Sequence, residues 1–178
     1  MSRSASIRCV AMAAALVACT VVRAGEIQGD TSRSLCFALV AERSGIPERL
    51  LRAVAKIESN NVAGAIHLDT DGTHDVGIMQ INSSHFAELE ARYHITEQIL
   101  LERPCVNIAV GARILGGFLN RYGTTWRAVG SYGAGTGSAK EAARRDYATL
   151  VARALTKGWH VEQVAQAAPV ERRMAVWE

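Results

Sequence analysis

Apolar residues recur three and four apart along most of this chain, the spacing of a buried helix face. Leu35, Phe37, Ala38 and Val40 predict a first helix over Ser34–Arg43, with Gly45 as its stop. Pro47 fits the first position of a second helix whose Leu50, Leu51, Val54 and Ala55 share one side. From Asn60 to Asn82 the period is lost and Gly, Asp, Thr and Asn accumulate. Asp71-Gly72 is a two-residue hairpin signal, so a small β-excursion is predicted there. Helical spacing returns over Ser84–Tyr93 and Thr96–Leu101. It is strongest over Cys105–Tyr122, where Val110, Ile114, Leu115, Phe118 and Leu119 are in register and Gly123 can end the helix. A short helix over Thr125–Ser131 precedes the glycine-rich Gly133–Gly137. Ser138-Ala139-Lys140-Glu141 then reads as a capping box opening a last helix to about Leu155. Its stripe is Ala143, Tyr147, Leu150, Val151 and Ala154. The pattern predicts a mainly α domain with a small β-hairpin.

Residues 1–24 differ in kind. They hold Arg3, Arg8 and Arg23, no acid, and an apolar run from Val10 to Val22, shorter than the roughly 20 residues that span a bilayer. With Val22-Arg23-Ala24 before Gly25, this reads as a secretory signal peptide, which places the mature chain in the periplasm. Leu16-Val17-Ala18-Cys19 offers a second reading, an outer-membrane lipoprotein carrying lipid on Cys19, although Thr20-Val21-Val22 prolongs the apolar run beyond it. The whole chain carries a formal +3, and removing the three leader arginines brings it to zero. The basicity belongs to the leader, so no nucleic acid partner is expected. Cleavage leaves Cys36 and Cys105, 69 residues apart. In an oxidising compartment an even pair reads as a disulfide; the alternative is two separate buried thiols. Residues 25–158 suit one domain, and the tail 159–178 carries no clear pattern.

One polar residue breaks the apolar stripes. Leu51, Val54 and Glu58 are spaced three and four apart, so Glu58 continues the apolar side of the second helix. Burial disfavours a carboxylate and raises its pKa, which makes a glutamate useful as a general acid near neutrality. Periodicity alone also allows Glu58 to sit at the rim, or to pair with a core arginine such as Arg113.

The surrounding motifs bear on that choice. Glu58-Ser59 stands at a helix end, followed by Asp75-Val76-Gly77-Ile78-Met79-Gln80-Ile81-Asn82 and then by Tyr132-Gly133-Ala134-Gly135. In this order the chain resembles the goose-lysozyme-like (SLT) lytic transglycosylases. It is most similar to the small IagB/IpgF-like type that accompanies type III and type IV secretion machines. That type shares the Cys-Phe near the mature start, the Gly-Ile-Pro helix entry and Pro104-Cys105-Val106-Asn107-Ile108. The resemblance implies a lysozyme-like α+β fold with its hairpin beside the active-site cleft. It implies peptidoglycan glycan strands as substrate, Glu58 as the catalytic acid and base, and a 1,6-anhydro product. Asp75 follows as a second catalytic carboxyl that either stabilises the developing cation or permits lysozyme-like hydrolysis. Gln80 and Asn82 would bind sugar hydroxyls or acetamido groups. Met79 would form an apolar wall, and Tyr132 would place its hydroxyl near the acid. Ser59 reads as helix-end chemistry.

Two positions depart from the family pattern. Gly133 stands where Asn is usual, so a contact is missing and a looser turn is expected; His67 stands where Asn is more common, which weakens the case for acetamido recognition there. Neither removes the acid. Asp69–Asp75 lacks the spacing and distal Glu of a calcium loop, the histidines lack zinc spacing, and Gly133–Gly137 lacks the Lys-Ser/Thr of a phosphate loop. No metal or cofactor is expected. The remaining partners would be components of a secretion apparatus, with the protein itself a monomer. A non-catalytic peptidoglycan-binding scaffold is the competing class.

Overall fold

The computed structural model describes residues 32–156, so the leader, 1–24, and the tail, 159–178, lie outside the described residues. Residues 1–35 and 36–178 separate into two units. Of the first, only 32–35 are described, within helix α1 (32–44). Gly45 ends α1 at φ +71°, its N–H donating to the Ala41 carbonyl at 2.9 Å. Helix α2 (Glu48–Ser59) begins one residue later than expected. Pro47, at ψ 129°, is still extended and serves as the N-cap. This helix buries Leu50, Leu51, Ala53, Val54 and Ala55. It ends at Asn60 in the left-handed region, where the N–H reaches back to Lys56.

The β-excursion is a three-stranded antiparallel sheet rather than a single hairpin: β1 (Ile66–Leu68), β2 (His74–Val76) and β3 (Ile81–Asn82), in that spatial order. The third strand arises because Gly77–Gln80 turns the chain straight back, with Gln80 N–H bonded to the Gly77 carbonyl. The first connection is also wider than the two residues expected from Asp71-Gly72. It covers Asp69–Thr73, closed by Asp69 N–H on the Thr73 carbonyl at 2.9 Å. Side chains support the longer loop, since the Asp71 carboxylate accepts from both the N–H and the hydroxyl of Thr73.

After a 3₁₀ turn at Ser83–His85 come α3 (Phe86–Tyr93), α4 (Glu97–Glu102) and α5 (Pro104–Tyr122). Then follow α6 (Trp126–Ala134), a 3₁₀ turn at Ser138–Lys140 and α7 (Glu141–Thr156). Two expectations change here. Helix α6 runs three residues past Ser131, so Tyr132 and Gly133 lie in its last turn instead of in a loose glycine turn. The predicted capping box is replaced by a different device: Glu141 turns its carboxylate to Arg144 and Arg127. Arg144 is 2% exposed, and its guanidinium also donates to the Gly135 and Gly137 carbonyls. One buried cation thus satisfies the carbonyls at the end of α6 and ties them to α7.

The sheet is fastened to the helices through Asn107 on α5. Its fully buried amide donates to the Val76 and Leu100 carbonyls and accepts from Met79 N–H at 2.8 Å. Gly77 must be glycine to sit against it. At φ +79°, an added Cβ would lie 2.0 Å from Asn107 Nδ2.

Cys36 on α1 and Cys105 in the first turn of α5 are disulfide-bonded, their Cα atoms 5.1 Å apart. The bridge spans 69 residues. Reducing it, or replacing both cysteines with serine, is expected to lower unfolding free energy by about 4 kcal/mol in the chain-entropy account. Urea denaturation with and without reductant checks this, and an unchanged midpoint would refute it.

Candidate active site

Glu58 stands in the last turn of α2 with its side chain half-buried. The Oε1 atom accepts a hydrogen bond from the Tyr147 hydroxyl of α7. Burial pushes the carboxyl up to about 7; the bond from Tyr147 acts in the opposite sense, and the charge of Asp75 adds to the rise. Arg113, named as one possible structural partner for Glu58, stacks instead over the Tyr93 ring at 4.8 Å from its centroid. The carboxyl is thus held by a phenol and not neutralised by an arginine. Tyr147 keeps its own proton, because burial and the neighbouring Glu58 carry its pKa well above the ordinary range.

The end of α2 is pinned by the next residue. Ser59 Oγ donates to the Ile78 carbonyl at 2.8 Å and accepts from Val62 N–H at 3.1 Å. Ser59 therefore aligns the acid's helix with the Gly77–Gln80 turn and has the structural place expected of it.

Asp75 is half-buried on β2, opposite His67 on β1 and Asn82 on β3. Burial raises its pKa, the Asn82 bond lowers it, Asp69 raises it, and His67 and His74 lower it. Asn82 distributes its amide hydrogens over Asp75 Oδ1 at 2.9 Å, Thr73 Oγ1 at 3.1 Å and Asp69 Oδ2 at 3.2 Å. Its own oxygen caps the following 3₁₀ turn. Asn82 is thus the side chain that orients Asp75.

The other anticipated residues surround this pair in different ways. The Met79 side chain is fully buried, while its carbonyl accepts from the Tyr132 hydroxyl at 2.7 Å. Tyr132 lies close enough to Glu58 and Asp75 that both raise its pKa, after burial as the main cause. Gln80, at φ +47°, donates its amide hydrogens to the Gly77 and Ala65 carbonyls and so braces the turn. His67 is exposed. His74 bonds Glu97 at 3.0 Å and meets Phe86 edge-on.

Sequence reading placed Tyr147 only in the apolar stripe of α7. A signal was available, because a phenol on a buried stripe needs a partner for its hydroxyl, and Glu58 was the unsatisfied polar group. Among the described residues, no group of three or more His, Cys, Asp or Glu side chains is arranged to hold a metal ion. The arrangement can deliver a proton from a desolvated carboxyl beside a second carboxyl, on a wall built by α2, α6, α7 and the sheet.

Comparison with known proteins agrees with this chemistry. The Transglycosylase SLT domain family matches residues 36–153. Invasion protein IagB of Salmonella typhimurium is 40% identical over 122 residues, covering 68% of this chain and 76% of that protein. Protein IpgF of Shigella flexneri is 38% identical over 116 residues, 65% of this chain and 76% of its own length. The X polypeptide of Escherichia coli is 41% identical over 100 residues, 56% of this chain and 59% of that protein. With two-thirds of its length matched by that family, the chain belongs to the SLT transglycosylase family and is a lytic transglycosylase acting on peptidoglycan.

Proposed function

We propose that this enzyme cleaves the β-1,4 bond between N-acetylmuramic acid and N-acetylglucosamine and closes a 1,6-anhydro ring on the muramyl unit. The observation that carries the reading is Glu58, a desolvated carboxyl held by a phenol and protonated up to about pH 7. Protonated Glu58 gives its proton to the glycosidic oxygen as the C1–O bond breaks, and positive charge develops on the muramyl ring. The resulting carboxylate takes the proton of the C6 hydroxyl, and that oxygen bonds to C1. Glu58 ends protonated, no water is consumed, and one carboxyl serves in both directions. Tyr147 donates to Glu58 throughout and steadies the carboxylate between the two transfers. Asp75 supplies negative charge beside the cation. Its nearness also supports a second reading, hydrolysis with two carboxyls as in lysozyme. The leader segment and the secretion-associated resemblance support a periplasmic role in which the cell wall is opened locally for a secretion apparatus.

Digestion of purified peptidoglycan, with muropeptides weighed by mass spectrometry, tests the chemistry. Wild type is expected to release anhydro products, Glu58→Gln none, and Asp75→Asn the same products more slowly. Activity surviving in Glu58→Gln would remove Glu58 from the mechanism. Products heavier by one water would establish hydrolysis, and binding without cleavage would establish a scaffold.

The raised carboxyl fixes the pH dependence. The reaction needs the protonated form, so kcat/KM is expected to be level below about 7 and to fall about tenfold per pH unit above it. A rate that instead climbed steadily from pH 6 to 9 would contradict this.

The same shift has a consequence for stability. The folded protein holds the Glu58 proton more tightly than the unfolded chain, from 4.5 to about 7. The associated stability is present below the unfolded value and is lost as pH rises through about 7. Glu58→Gln has no proton to lose, so it is expected to gain on wild type by about 1–3 kcal/mol between pH 4.5 and 8. Parallel urea titrations at the two pH values read the difference, and a pH-independent gap would refute it.

A further inference from the structure

The departure from the family pattern at Gly133 has a geometric counterpart. Helix α6 meets α7 through two glycines three residues apart, Gly130 and Gly133, and they face different things. A Cβ at Gly130 would lie 2.2 Å from the Arg144 carbonyl oxygen, so Gly130 lets two backbones approach. A Cβ at Gly133 would lie 2.1, 2.2 and 2.7 Å from Cδ2, Cε2 and Cγ of the Tyr147 ring. Non-bonded heavy atoms do not approach so closely, because attraction between carbons is best near 3.5–4.0 Å. The ring cannot step aside without cost, for its hydroxyl is held by Glu58 and its Cα by a helix that Arg144 fastens to the end of α6.

We propose that Gly133 is a positioning residue for the catalytic acid: the absent side chain is the space that seats the Tyr147 ring, and through it the hydroxyl that orients Glu58. Tyr132, the neighbour of Gly133, donates to the Met79 carbonyl, so the last turn of α6 bears on both phenols near Glu58. This inference rests on Glu58 being the acid.

The test uses Gly133→Ala, Tyr147→Phe, Tyr147→Ser and the double variant Gly133→Ala/Tyr147→Ser in the full chain. Activity on peptidoglycan and the titration of the Glu58 carboxyl, followed by carbon-13 NMR, are read together. Gly133→Ala is expected to lower kcat about ten- to a hundredfold with KM within about twofold, the size of loss a misplaced reacting group produces. Its Glu58 should titrate above wild type, as in Tyr147→Phe, because the donor that favours the carboxylate has moved away. Removing the ring makes room for the new methyl, so the double variant should match Tyr147→Ser in both activity and titration. That comparison stands even where Gly133→Ala alone fails to fold. Wild-type kcat and titration in Gly133→Ala, or a further loss from Gly133→Ala in the Tyr147→Ser background, would overturn the inference. Wild type releasing no anhydro product would sink the proposed reaction instead, while the carboxyl titration would still decide the role of Gly133.

Discussion

A carboxyl group that has lost its water must be satisfied by something, and the choice of partner at Glu58 determines what the rest of the site can do. An arginine would settle the cost by keeping the group ionised, which would destroy it as an acid. The phenol of Tyr147 supplies one hydrogen bond and no charge, so burial remains the larger influence and the proton stays until about neutrality. That solution demands a second helix close enough to deliver the phenol and rigid enough to hold it there. The two glycines on α6 provide the approach, and the buried Arg144 provides the fastening.

The sheet is subject to a similar demand, because its strands are only two or three residues long. So short a sheet has little stability of its own. One buried amide makes up much of the deficit. Asn107 occupies three backbone groups, one on β2, one in the Gly77–Gln80 turn and one at α4, so no part of its side chain is buried without a partner. Ser59 makes the complementary link from the acid's helix to the same turn. Gly111 completes the fit on α5, where an added Cβ would lie 2.7 Å from that of Met79. Asp75 and Glu58 therefore belong to separate elements, and the Gly77–Gln80 turn between them is bonded both to Ser59 at the end of α2 and to Asn107.

Features with local causes were legible in the sequence. Helices announced themselves through spacing, and their ends through Gly45, Thr96, Thr125 and Gly123, all of which stand where the helices start or stop. Glu58 was legible for the same reason, as a polar residue in phase with an apolar stripe. Features with distant causes were not. The third strand depends on a turn held by Asn107, 28 residues away from Met79. The capping box was a sound local pattern that lost to a stronger partner, since a buried guanidinium competes better for Glu141 than a backbone amide does. Tyr147 lies 89 residues from Glu58, and although its hydroxyl sets it apart from the rest of the α7 stripe, nothing local names the partner that the hydroxyl finds. The closeness of Gly133 to that ring likewise appears only once the two helices are packed together.

The two carboxyls that share this site are told apart by what surrounds them. Burial raises the pKa of both, but Glu58 receives only one neutral donor against that rise and reaches about 7, whereas at Asp75 the rise is opposed by an amide from Asn82 and by two histidines. Like charges in proximity cannot both form cheaply, so the site tends toward an ionised Asp75 beside a protonated Glu58. This division has a bearing on the choice of reaction. A second carboxylate is usually taken as the mark of hydrolysis, but here it also keeps the proton on the first, since its charge is among the causes that raise Glu58. Asp75 would therefore be useful to an enzyme that never employs it as a nucleophile or base.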